Sequence, residues 1–201
     1  MALGQPLQAR GYYRQWITVA QRDGDRRDES IAVGNLGSVC LALGDDEGAN
    51  AFFRRRLDIA KEIGDRKGES DMLVNLGVIQ GKSDNHESAL AFFKQALSVA
   101  RELHDHADEC DALTNIGKVY MSLGDIQSAQ DTFQQCIDEG RKSGDPRRES
   151  MALFSMNQLL DRKGNRSQAI ANAKRALAIL EPLEDPTSDY IRTQLKRWLE
   201  A

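Results

Sequence analysis

The stretch Gly64-Asp65-Arg66-Lys67-Gly68-Glu69-Ser70-Asp71-Met72-Leu73-Val74-Asn75-Leu76-Gly77 decides the fold, because its landmarks return at a fixed interval in both directions. Gly24-Asp25-Arg26-Arg27, His104-Asp105-His106-Ala107 and Gly144-Asp145-Pro146-Arg147 occupy the same place in steps of 40 residues, and Glu184-Asp185-Pro186 continues the series. Asn35-Leu36-Gly37 and Asn115-Ile116-Gly117 match Asn75-Leu76-Gly77, with a weaker Ser155-Met156-Asn157 in the next place. Ala49, Ala89, Ala129 and Ala169 follow, and Phe53, Phe93, Phe133 and Ala173 come four residues after them. A period of this length marks a protein built from stacked repeats.

Each period holds two helices. Val33, Leu36, Cys40 and Leu43 are spaced three or four apart, as are Ala49, Phe53, Leu57 and Ala60, so each half carries one apolar face. Asp25, Asp65, Asp105, Asp145 and Asp185 stand where an N-cap is wanted, and Pro146 and Pro186 suit the first helical position. Gly44, Gly124 and Gly164 predict a left-handed residue closing the first helix, with Asp45, Asp125 and Asn165 capping the second. Asp84 replaces that glycine, which predicts a strained turn. Helices of about 17 residues and roughly 25 Å follow. One pair cannot bury its own apolar faces, so neighbours must stack.

Composition agrees. The 201 residues are 40% hydrophobic and only 6% aromatic, with no apolar run long enough for a membrane span. Lys and Arg number 27 against 31 Asp and Glu, and a net charge of -4 lacks the basic excess of a nucleic-acid binder. Cys40, Cys110 and Cys136 contain no C-x-x-C pair and are odd in number, which suits small thiols in a reducing cytoplasm better than a disulfide framework. Met1-Ala2-Leu3-Gly4-Gln5-Pro6 lacks the features of a secretory signal, so a cytoplasmic location is expected.

Leu36-Gly37 with Ala49 and Phe53 resembles the tetratricopeptide repeat signature of Leu-Gly, then Ala, then Phe. Ala96, Cys136 and Ala176 fit the family's further small residue, and Arg56 departs from it. The 40-residue length, the Asn-Leu-Gly and the Gly-Asp-Arg junction are similar to the long-repeat subclass of LGN/Pins-type adaptors and bacterial signalling arrays. The resemblance covers essentially the whole chain. It implies an all-α fold, a right-handed α-solenoid of antiparallel helix pairs, and a mode of binding rather than a particular activity.

The expected organisation is a single array over 1–201, with repeats at 24–63, 64–103, 104–143 and 144–183. Residues 1–23 align with the second helix of a repeat whose first helix is missing, with Ala9, Tyr13 and Ile17 on Ala49, Phe53 and Leu57. Tyr12, Tyr13 and Trp16 are then expected to be exposed and to drive association between copies. Residues 184–201 read as a capping helix, with Ile191, Leu195, Trp198 and Leu199 forming its apolar stripe.

Candidate chemistry is sparse. Gly77-Val78-Ile79-Gln80-Gly81-Lys82-Ser83 suggests a phosphate loop, but it is one residue short between its glycines and lies in a helix tail. His104-Asp105-His106-Ala107-Asp108-Glu109-Cys110 gathers metal-type ligands. Its acids recur at the other junctions as caps, and its histidines lie two apart rather than i, i+4, so no metal site is assigned. His86 reads as a solvent-exposed turn residue. Nothing suggests nucleophilic catalysis or a cofactor, and the protein is read as not an enzyme.

Asn35, Asn75 and Asn115 remain. In the resembling subclass the corresponding asparagines line the concave groove and hold a peptide backbone, a task suited to an amide that both donates and accepts. Ser155 breaks this ladder. A second reading has these amides bonding a neighbouring helix. Asp71, Asp111 and Lys118 are placed to select charge, with Lys82 and Arg162 further along, a mixture unlike a cationic clamp for a C-terminal carboxylate. The expected partner is a peptide or helix of another protein, without nucleic acid or membrane. The alternative is a spacer or self-association module inside a larger signalling protein.

Overall fold

The computed structural model describes residues 4–200, and it divides at Leu103/His104 into two compact units. The N-terminal unit contains α1 (Gly4–Asp23), α2 (Arg26–Ala42), α3 (Asp46–Ile63), α4 (Arg66–Lys82) and α5 (His86–Glu102). The C-terminal unit contains α6 (His106–Leu123), α7 (Ile126–Lys142), α8 (Pro146–Arg162), α9 (Arg166–Leu180), a 3-10 turn (Glu181–Leu183) and α10 (Thr187–Glu200). Within each unit every helix packs on the next, and α6 also touches α8. Among the described residues there is no strand, and no helix is long and apolar enough to cross a membrane.

The turns follow a 20-residue rhythm. Gly24, Gly44, Gly64, Gly124, Gly144 and Gly164 have φ between 66° and 77°, and Asp84, His104 and Glu184 take the same left-handed place at 56°, 54° and 50°. The strain expected at Asp84 is therefore present, and it recurs at two further turns. Asp25, Asp45, Asp65, Asp105, Asp125 and Asp145 accept from amides in the following first turn at 2.8–3.1 Å. Asn85 makes no such cap and bonds Gln80 instead. Pro146 opens α8 as expected, whereas Pro186 lies one residue before α10, where Asp185 accepts from the Thr187 amide at 2.9 Å.

The packing explains the spacing of Gly and Phe. A Cβ added to Gly37, Gly77 or Gly117 would stand 2.6, 2.6 or 2.4 Å from the ring of Phe53, Phe93 or Phe133, so glycine is what lets the second helix seat its aromatic side chain. The fourth pair inverts the volumes: Asn157 stands in the glycine's place and Ala173 in the phenylalanine's. Asn157 is fully buried, and with its amide assigned the orientation that satisfies its neighbours it donates to the Ala169 and Leu153 carbonyls at 3.3 and 3.0 Å and accepts from Ala173 N at 3.1 Å. A similar exchange occurs at Gly34, whose missing side chain makes room for Arg56.

A carboxylate recurs on the first turn of a pair's first helix, buried at Glu29 and Glu69 and half-buried at Glu149. Glu29 binds Arg26, Arg55 and Gln21; Glu69 binds Arg66; Glu149 binds Arg141 at 2.8 Å and Arg175 at 2.7 Å. A carboxylate this buried persists only with such partners. Burial raises the Glu29 pKa, but hydrogen bonds from Arg55, Gln21 and Arg26 outweigh it and hold the group below its ordinary value.

The ends differ from expectation. Tyr12 is 71% exposed, but Tyr13 and Trp16 stack on each other at 6.3 Å and pack against a cluster of Ile17, Ala32, Val33, Leu36 and Ile59. Trp16 Nε1 also donates to Asp28 at 3.1 Å, so α2 and α3 cover two of the three aromatics expected at the surface. On α10, Ile191 and Trp198 are buried, whereas Leu199 is 60% exposed and drops out of the apolar stripe.

Candidate functional site

In the N-terminal unit Asn35 lies on α2 and Asn75 on α4, each half-exposed beside a buried Leu-Gly pair. Asn115 has the same setting on α6 of the C-terminal unit. Next to them Ile31, Ser38, Val78 and Lys118 reach solvent, as do Met151 and Gln158 on α8. Asn35 lines a cleft of about 360 Å³ between α1 and α2, with Pro6, Ala9, Tyr13, Ser38, Val39 and Ala42. Ser155, which interrupts the ladder, is buried and donates to the Met151 carbonyl at 3.1 Å.

The charges expected to select a ligand are partly tied up. Asp111 faces Arg148 at 3.8 Å and Lys82 faces Asp46 at 3.4 Å, while Asp161, beside Arg162, faces Arg166 at 3.6 Å. Lys118 and Arg162 are exposed and Asp71 is half-buried. Sequence reasoning missed Arg148, which also donates to the Ala107 carbonyl at 3.3 Å and so joins α8 to α6. Its only signal was that the equivalent positions carry Asp28, Gly68 and Asp108.

The other candidates resolve into structure. Gly77 to Lys82 lies within α4, whose amides are spent on helix hydrogen bonds. The three arginines 54–56 fan out: Arg54 bonds Asn50 and sits 5.7 Å from the Phe92 ring centre, Arg55 binds Glu29, and Arg56 packs over Gly34. His86 is half-buried at the start of α5 rather than exposed. Cys110 and Cys136 are buried face to face, each Sγ within 3.3–3.4 Å of the other's carbonyl oxygen. Their mutual hydrogen bond and burial push the Cys110 thiol far up, which holds it protonated rather than nucleophilic.

Profiles described as tetratricopeptide repeat match residues 68–142 and 108–182, and a second such profile matches residues 32–67. The chain belongs to the tetratricopeptide repeat (TPR) family. Solved structures extend the likeness to the whole fold. BtubC (BKLC) from P. vanneervenii is 15% identical with a TM-score of 0.83, covering 97% of this chain and 83% of that one. A putative kinesin light chain with nearly identical TPR-like repeats from Podosopora anserina is 13% identical, with a TM-score of 0.73 and coverage of 90% and 89%. Aspartyl phosphate phosphatase F from Bacillus subtilis is 16% identical at a TM-score of 0.71, with 98% of this chain matching 56% of that one. At these identities the likeness is one of fold. No curated protein sequence matches the chain.

Proposed function

We propose that this TPR protein is a non-catalytic interaction scaffold of the cytoplasm, of the long-repeat adaptor kind, that binds a peptide or helix of a partner protein. The observation that carries this reading is the repeated half-exposed asparagine. At Asn35, Asn75 and Asn115 an amide recurs beside a buried Leu-Gly or Ile-Gly step, with an exposed residue three positions further on. The amides hold the ligand backbone, Asn35 and Asn75 in the N-terminal unit and Asn115 in the C-terminal unit. Asp71, Asp111, Lys118, Lys82 and Arg162 tune charge preference around them. A ligand drawing on Asp111 competes with Arg148 for it, and binding there has an electrostatic threshold.

The test replaces the three asparagines with alanine and measures partner capture from the native host beside helical circular dichroism. Captured protein lost from the triple variant, with helicity kept, is the expected outcome. Capture unchanged from wild type removes the groove assignment. A second reading, association between copies, rests on α1, where Leu7, Tyr12 and Val19 are all exposed. Tyr12→Ser then lowers the mass seen by light scattering at high concentration, whereas the asparagine variants leave it alone. A wild-type mass that stays monomeric at every concentration sinks it.

A further inference from the structure

The third 40-residue period breaks its own pattern at two places that the structure brings together. The place held by Arg26 and Arg66 is His106, and the place held by Val19, Ile59, Val99 and Ile179 is Glu139. In the first two complete periods one guanidinium bridges two carboxylates: Arg26 binds Glu29 and Glu62, and Arg66 binds Glu69 and Glu102. In the third period the place of Glu62 and Glu102 is taken by Lys142, and the second carboxylate comes from Glu139, inside the helix pair. Ile59 and Val99 are 3% and 4% exposed at that place, and the Glu139 side chain is only 17% exposed. A carboxylate put where Ile59 and Val99 bury hydrocarbon requires a cation to stay charged.

His106 Nδ1 stands 3.4 Å from Glu139 Oε2, and one ligand atom each from His106, Glu109 and Glu139 lies within 4.8 Å of the others. His106 and Glu109 are three apart on the first turn of α6 and share a face, while Glu139 reaches them from α7. Imidazole differs from guanidinium in offering a lone pair. Lys142 Nζ binds the other oxygen, Oε1, at 2.6 Å, and this fixes the plane of the carboxylate and leaves Oε2 turned to the imidazole, as outer-sphere partners of metal ligands do.

We propose that His106, Glu109 and Glu139 bind a divalent transition-metal ion of the zinc type, through one imidazole nitrogen and two carboxylate oxygens, with water completing the shell. Zinc holds such ligands at about 2.0–2.2 Å, which sets them roughly 3.4 Å from one another, and the half-exposed His106 ring supplies the movement. An imidazole in the donor set favours zinc over magnesium or calcium. The bound ion ties α6 to α7 and thereby stabilises the helix pair.

The test uses the full chain, stripped with chelator, and zinc ion alone as the probe, followed by titration calorimetry and thermal unfolding. Wild type takes up one zinc saturably in the micromolar range and unfolds at a higher temperature with zinc present. Glu139→Ile, which installs the residue of another period, and His106→Arg each weaken binding at least tenfold, while His104→Ala leaves it unchanged. Nuclear magnetic resonance of the wild-type imidazoles gives a readout independent of whether any variant folds: zinc shifts His106 and leaves His86 in place. No saturable uptake below about 100 µM, or a zinc response that spares His106 or persists in Glu139→Ile, overturns the assignment and leaves a rearranged ion-pair network.

Discussion

The exchange of Gly117 and Phe133 for the Asn157 and Ala173 pair of the fourth period offers a stringent check on the packing. Gly117→Asn alone puts a Cβ 2.4 Å from Phe133 Cε1 and 2.8 Å from Cδ1 and Cζ, against a ring with no exposed surface to retreat toward. Overpacking of this kind costs about 1–3 kcal/mol. Phe133→Ala alone leaves a cavity worth about 3–5 kcal/mol. Combined, the substitutions remove the clash and let the new amide seek the Leu113 and Ala129 carbonyls and the residue-133 amide, the counterparts of the bonds Asn157 makes at 3.0–3.3 Å. At about 1 kcal/mol net per bond, the double variant should be more stable than Phe133→Ala, with a coupling energy of roughly 2–4 kcal/mol. The assay is urea and thermal unfolding followed by circular dichroism, where each kcal/mol moves Tm by about 2–4 °C at this size. A double variant whose loss equals the sum of the singles refutes the view that these two positions form one volume-sharing unit.

Three further outcomes follow from the geometry. Asp84→Gly and Glu184→Gly relieve side chains at φ 56° and 50°, and each should raise stability by about 0.5–1 kcal/mol, additively because the turns are far apart in the chain, as read from Tm. Glu29 has a folded pKa below its ordinary 4.5, so its contribution is complete above that pH and is lost as pH falls through the lowered value. Glu29→Gln should cost about 1.5–3 kcal/mol at neutral pH and flatten the acid limb of a stability–pH curve below about pH 4.5; an unchanged acid limb counts against the Arg26–Arg55 cradle. Cys40, Cys110 and Cys136 are all buried, so a thiol reagent should label them slowly without denaturant and at a rate that tracks unfolding; fast labelling of Cys110 in water contradicts its placement.

Much of the fold was legible because its determinants are local and recur. Caps at Asp25, Asp65 and Asp105, left-handed glycines at Gly44, Gly124 and Gly164, and the Gly/Phe spacing each depend on residues within one helix pair, and the period aligns them. What sequence did not reveal are contacts between residues about 26 to 41 apart. The Arg55 and Arg175 bonds to Glu29 and Glu149, the Arg148 reach to Ala107 and the placement of Glu139 beside His106 depend on which faces of two helices meet. The partial burial of Tyr13 and Trp16 was missed for a similar reason. In the fold α1 uses those residues to cover Ala32 and Val33.

An internally repeated chain carries its own control, since each structural place is filled by up to five residues under nearly the same constraints. Departures that compensate in volume or in hydrogen bonding belong to packing, as Gly34 does for Arg56 and Asn157 for Ala173. By that standard Ser155 is a packing change as well, because it is buried and donates to the Met151 carbonyl. Glu139 differs in kind. It adds a charge to an apolar place, and the residues changed with it, His106 and Lys142, restore electrostatic partners rather than volume. The asparagines and the His106 cluster therefore call for different tests. The asparagines repeat unchanged, so removing them together asks whether they share one task. The cluster occurs once, so a single substitution back to the repeat's own isoleucine asks whether the departure has a purpose.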